Sequence, residues 1–227
     1  MRYAIGEIIL VVVGILIALQ INNWNEERKS GFIELKLLEE LYFTIEGDLQ
    51  LNAKNIERNM ASIQSAQLLL DHFENSKPYH DSLNPHFANA IKRYISLTRD
   101  NAYQNIKSHG LEFISNDTTK GELSWMYETN IEWLKRLDER ATLYENTFMM
   151  PEVAKLFETV SLHIDYDYVD IMSPINYDSL KRNKEFIGIL KSTKNYKEDY
   201  IVFHKRLYDR MENLLVLIGR EIELKKR

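Results

Sequence analysis

From Ile8 to Leu19 the chain reads IILVVVGILIAL, twelve residues without one polar side chain. No other feature restricts the fold as much. A helix that is apolar on every side leaves no face for water, so such a run belongs either inside a protein or in lipid. Extended from Tyr3 to Ile21 it holds 19 residues. At 1.5 Å per residue that is roughly 28 Å, close to the ~30 Å hydrocarbon thickness of a bilayer. Tyr3 and Trp24 flank the run 21 positions apart, roughly 31 Å along a helix, which suits an aromatic belt at the two membrane interfaces. The run ends in LQINNWNEE and offers no small-x-small cleavage site, and the chain has no cysteine to carry a lipid. The expectation is an uncleaved transmembrane anchor over residues 1–24, a juxtamembrane linker over 25–31 and a soluble helical-bundle domain over 32–227.

Within the anchor, Glu7 is the one ionisable residue of the apolar stretch. It lies close enough to Tyr3 to reach headgroups and water, and it also shares a heptad stripe with Gly14 and Ile21. Gly14 and Ala18 form a small-xxx-small pair of the kind that lets two membrane helices approach. Glu7, Gly14 and Ala18 are therefore the candidate helix–helix contact, with Tyr3 and Trp24 as interface residues. Arg2 lies on one side of the run and Arg28, Lys29 and Lys36 on the other. Under the positive-inside rule this local charge leans slightly against an outward-facing domain.

The remainder is an acidic, breaker-poor chain. Net charge is −5 over 227 residues, with only 8 Gly and 4 Pro. Few breakers favour long helices over strands and turns, and negative charge is a poor match for a phosphate backbone, so no nucleic-acid partner is expected. Without cysteine there is no disulfide, thiolate metal site or cysteine nucleophile.

Leu35, Tyr42, Leu49, Ile56, Ile63 and Leu70 recur every seven residues, with Leu38, Ile45, Ala66 and Phe73 between them and Asn52 and Asn59 as polar interruptions. This predicts a helix over 32–75, with Gly47 as a place for a break. Asn84-Pro85 predicts the start of a helix over 85–98, burying Phe87, Ile91, Tyr94 and Ile95. A short helix after Asp100 should stop at Gly110. Thr119 and Glu122 have capping-box spacing and open a helix expected to reach Met149, before Pro151 starts a shorter one to about 161. Residues 163–177 read as irregular, 178–191 as a helix, and Asn195 with Glu198 as the start of the last helix. Fold class is thus all-α: one N-terminal transmembrane helix, then an antiparallel helical bundle with shorter inserted helices.

Chemistry is harder to find. No HExxH, GxSxG, Walker or GxGxxG pattern occurs. His80, Asp81 and His86 share a loop, and His163, Asp165, Asp167 and Asp170 share another; a solvated loop is the expectation for each. His204 falls on the seam of the last helix, where packing is expected. Trp125 and Trp133, eight apart on one helix, are expected in the core. No catalytic residue, metal ligand or cofactor is assigned.

Residues 3–29, YAIGEIILVVVGILIALQINNWNEERK, resemble the opening of a bacterial family of single-pass membrane proteins known as domain of unknown function 6090. AYQNIKSHGLEFISNDTTKGEL at 102–123 and INYDSLKRNKEFIGIL at 175–190 are similar to it more loosely. The resemblance implies a bacterial inner-membrane anchor with a helical, extracytoplasmic (periplasmic) domain, and no established activity. With the lipid bilayer as first partner, the expected function is that of a membrane-anchored, non-enzymatic interaction or scaffold protein. It would act as a homo-oligomer or with a membrane-protein partner through the transmembrane helix. The alternative is an extracytoplasmic sensor or small-ligand-binding bundle.

Overall fold

Buried positions along the first helix alternate in steps of four and three, the spacing that keeps one stripe of a helix turned to a neighbour. In a computed structural model, which describes residues 2–94, 98–161 and 170–226 (without the side chains of 2–9, Thr159 and Ser161), this helix, α1, runs unbroken over Arg2–Glu74. It continues through 25–31 and through Gly47. The helices that follow are α2 (Asn84–Ile91), α3 (Asn101–His109), α4 (Asp117–Ser124), α5 (Glu132–Tyr144), α6 (Met150–Leu156), α7 (Tyr177–Leu180) and α8 (Lys184–Lys225). A two-stranded antiparallel ribbon, β1 (Phe157–Ser161) with β2 (Ile171–Pro174), interrupts them. The all-α expectation therefore holds for a bundle-like, mostly helical chain and misses this ribbon, which lies partly in the segment read as irregular.

Two compact units can be separated: Met1–Ile45 with Arg99–Leu123 and Leu214–Arg227, and Glu46–Thr98 with Ser124–Asn213. In the first, α1 buries Glu34, Leu38, Leu41 and Ile45, and Ala102, Tyr103, Ile106, Leu214 and Ile218 are buried as well. Gly110 ends α3 as expected. Its φ is 102°, a backbone conformation that a side chain would strain, so the backbone calls for glycine. Glu34 accepts from the Ser115 amide at 2.7 Å and from its hydroxyl at 2.8 Å, and Lys225 Nζ lies 2.6 Å from the other carboxylate oxygen. These bonds tie the loop before α4 and the end of α8 to α1. The cap of α4 is Asn116, whose Oδ1 accepts from the amides of Thr118 and Thr119 at 2.9 and 3.3 Å. Thr119, the expected cap, is instead buried with its hydroxyl bonded to Glu221.

In the second unit an aromatic centre holds α1, α2, β1 and α8 together. Phe73, Phe87, Phe157 and Phe186 are all buried, with ring centroids 5.3–6.4 Å apart. Such pairs add about 0.5–1.5 kcal/mol each beyond the apolar area they bury. The α1 stripe here reads Asp48, Asn52, Asn55, Asn59, Ser62, Ala66, Leu69, Phe73, every one buried. Ile56, Ile63 and Leu70, expected at the seam, lie at its half-buried edge. Polar residues take the central positions because each finds a partner. Asn52 holds both the carbonyl (2.9 Å) and Nδ1 of His204, and Asn59 donates to the carbonyls of Asn55 and Tyr94 at 2.9 and 3.1 Å.

Three boundaries differ from expectation. The helix opened at Asn84 ends at Ile91 rather than 98; Tyr94 is buried beyond it, and Ile95 lies outside the described residues. From Asp117 to Leu156 the chain stays helical past Pro151, through two π turns, Trp125–Ile131 and Glu145–Met149. The second π turn directly precedes α6, so the N–H that proline lacks falls at a junction in the hydrogen-bond ladder. The last helix starts at Lys184 and passes through Asn195; Asn183 caps it, accepting from the Phe186 amide at 2.7 Å. Ser192 lies inside α8 with its hydroxyl donating to the Gly188 carbonyl at 2.8 Å.

Candidate functional site

The expected anchor residues can be placed only in part. Tyr3 and Glu7 lie outside the described side chains. Gly14, Ala18 and Trp24 stand exposed on α1, and a Cβ added at Gly14 meets nothing within 4 Å. From Leu10 to Ile21 the large apolar side chains are 47–75% exposed. Among the described residues, whose side chains begin at Leu10, no helix is long and apolar enough to cross a membrane.

In the second unit, four elements enclose a cleft of about 340 Å³: the end of α2, α5, the π turn Glu145–Met149 and α8. Helical spacing builds the longest wall, since Leu137, Ala141 and Tyr144 recur on one face of α5. Asp138, Thr142 and Glu145 form the adjoining stripe, and all three meet Arg93. Its guanidinium donates to the Asp138 carbonyl at 2.7 Å and to Thr142 Oγ1 at 2.6 Å, and Nε lies 3.2 Å from Glu145 Oε2. The Asp138 carboxylate is farther away, 4.0 Å from Nη1, and its Oδ1 is buried without a hydrogen bond. Burial raises the Asp138 carboxyl to about 6, against the pull of Arg93.

The floor is Lys197 and Tyr196. Lys197 is 1% exposed, and Nζ donates to the carbonyls of Ala90 (3.0 Å) and Lys92 (2.8 Å) and to the Ser62 hydroxyl. Three acceptors suit the three N–H groups of an ammonium, and two of them are carbonyls at the negative end of α2. Burial works the other way and pushes Lys197 down to about 7. Tyr196 is pushed up to about 12 by burial and by the nearby Asp138; its hydroxyl lies beside Arg93 but makes no hydrogen bond of normal geometry. Arg93, Asp138, Tyr196 and Lys197 did not stand out in the sequence. A lysine on the apolar seam of an otherwise amphipathic helix was the one available signal.

Other sequence candidates separate. His80 caps a short turn, accepting from the Ser82 amide at 3.1 Å, while His86 meets the Ser65 hydroxyl at 3.0 Å. Among the described residues no group of three or more His, Asp or Glu is placed to hold a metal. Residues 163–169 of the acidic loop lie outside the described residues. Asp170, expected in solvent, is buried and paired with Lys92. His204 packs as expected, 1% exposed with its ring tilted against that of Tyr200 at 4.0 Å. Trp125 and Trp133 are not core: they are 43% and 41% exposed, Arg210 lying over the first at 3.4 Å and Phe203 against the second at 4.3 Å. A seam drawn from hydrophobicity alone puts both inward, whereas the π turn between them shifts the register of the face.

In comparisons with known proteins, a family model described as a family of unknown function (DUF6090) matches residues 7–109. No curated protein and no solved structure matches. The matched range takes in the apolar run from Glu7 onward and α1 to α3, and the similar stretch at 175–190 lies outside it. Over residues 7–109 the chain resembles this family of unknown function, DUF6090.

Proposed function

We propose that this chain is a membrane-anchored, non-enzymatic interaction protein, held by the apolar helix at 3–21 in a bacterial inner membrane, with its helical domain on the extracytoplasmic side. The observation that carries the proposal is the exposure of Leu10 to Ile21 around the whole helix, 47–75% per large apolar side chain. A surface of that size and continuity is unstable in water. In lipid, each Leu, Ile or Val favours insertion by ~0.3–0.6 kcal/mol, so the nine of this stretch together contribute about 3–5 kcal/mol. Exposed Gly14 and Ala18 supply a small-residue face for a second copy or another membrane helix. Membrane fractionation with an alkaline carbonate wash tests this. The full chain should stay in the pellet, and a variant lacking residues 1–24 should move to the supernatant. Recovery of the washed full chain in the supernatant would end the proposal.

A second reading, a bundle that captures a small ligand, is favoured by the 340 Å³ cleft. A concave, mainly apolar site with a few convergent polar groups suits a small molecule better than a flat protein surface.

A further inference from the structure

We infer that the cleft between α5 and α8 takes an uncharged, mainly apolar small molecule of about two fused rings with one hydrogen-bonding group, an inference that rests on the ligand-binding reading. Size is the first argument. The cleft measures about 340 Å³, against the roughly 150 Å³ of a cavity that admits benzene. Its walls are the second: Ile91, Leu137, Ala141 and Met149 present apolar surface, and Tyr196 presents a ring.

Charge is the argument that selects the class. Arg93 and Lys197 at the floor already have partners within the protein, and Arg140, which also lines the cleft, is exposed, where water and salt screen an ion pair until it contributes little. Arg93 lies 3.2 Å from Glu145 and also meets Asp138, and the Lys197 ammonium is enclosed by three oxygens. An anionic head would have to displace one of these bonds, and a cationic head would face the guanidinium groups of Arg93 and Arg140. An ion is therefore disfavoured by the cost of leaving a buried charge without its partner. What the floor leaves open is the Tyr196 hydroxyl, buried and without a hydrogen bond of normal geometry. A hydroxyl can donate or accept, so it offers one bond to a neutral N–H or O–H group.

Indole, indole-3-acetate and tryptamine test this, since they share one ring system in neutral, anionic and cationic form. Binding is measured by calorimetry on the full chain in lipid nanodiscs at pH 7.5, with empty nanodiscs as the blank. Indole should saturate at one site, at least tenfold tighter than either ion. Tyr196→Phe, which removes only the unbonded hydroxyl, should weaken indole roughly three- to tenfold, the range for one hydrogen bond. Ala141→Trp should abolish binding by filling the cleft. An ion that binds as tightly as indole and is lost in Ala141→Trp overturns the ligand class and leaves the ligand-binding reading standing. If none of the three saturates the wild-type chain, both fall. Undiminished indole affinity in Tyr196→Phe removes the assigned hydrogen bond.

Discussion

Lys197 Nζ donates to the carbonyl oxygen of Ala90 at 3.0 Å, across 107 positions of sequence. The bond closes the C-terminal end of α2, whose last carbonyls have no partner within their own helix. It also explains why α2 stops at Ile91: Lys92 turns to extended backbone (φ −61°, ψ 130°), which brings its own carbonyl within 2.8 Å of the same ammonium.

Replacing Lys197 with Met should leave the Lys92 carbonyl and the Ser62 oxygen without the Nζ donor and the Ala90 carbonyl with only a 3.4 Å bond from Ser62, at a cost of about 2–4 kcal/mol once the pH is high enough for the amine to be neutral both folded and unfolded. Urea denaturation followed by circular dichroism reads the loss as a lower midpoint. The pH dependence has a definite sign. Lys197 titrates near 7 when folded, below its ordinary 10.5. The unfolded chain therefore binds more protons between those values, and this group's contribution to stability rises with pH across that window. The Met variant should lack that rise.

His204 should govern the acid side. Burial lowers it to about 4 from 6.5. Its contribution is complete above pH 6.5 and is lost as pH falls through 4, to a total of roughly 3 kcal/mol. Asp138 acts oppositely: raised to about 6 from 3.8, it stabilises most below 3.8 and loses that contribution as pH rises through 6. The two offset one another between pH 4 and 6. Asp138→Asn should therefore steepen the acid loss of stability relative to wild type, while His204→Phe should flatten it. A midpoint-against-pH series in urea that runs parallel for all three proteins would contradict both assignments.

Glu34→Ala should loosen the first unit. The carboxylate holds the Ser115 amide, the Ser115 hydroxyl and Lys225. Losing it leaves the Ser115 amide without its acceptor and Lys225 without its counter-charge, at about 2–3 kcal/mol. Hydrogen exchange over 110–119 reports the effect locally, and amide protection there should fall well before that of the aromatic centre around Phe87.

Gly14→Ile reads out contact between chains rather than folding. A Cβ at Gly14 meets nothing within 4 Å of the same chain, so the bulkier residue has room. Under the anchor proposal it should weaken self-association or partner recovery in membranes by about tenfold, equivalent to about 1.4 kcal/mol of helix–helix packing. Crosslinking yields in native membranes give the measurement, and an unchanged yield would show that Gly14 faces lipid.

Helicity and several stops were legible in the sequence because they depend on local properties. Few breakers predict long helices, Gly110 marks a turn only glycine fits, and Asn84-Pro85 opens a helix within one residue of where it starts. The cleft was not legible. A heptad pattern read from hydrophobicity puts Ile56 and Ile63 at the seam. The central positions are instead Asn55, Asn59 and Ser62, whose partners include Tyr94 and Lys197, far along the chain.

By itself, the sequence determined that this protein is mostly helical and that its N-terminal run is apolar on every side. Both follow from side-chain composition and from steric limits on the backbone within a few residues. Only the tertiary structure decided which polar residues are buried, where the β1–β2 ribbon forms and why Trp125 and Trp133 lie half in water. A polar group enters a core only when a distant segment brings its partner, as His204 does for Asn52 across 152 positions. No local pattern carries that information.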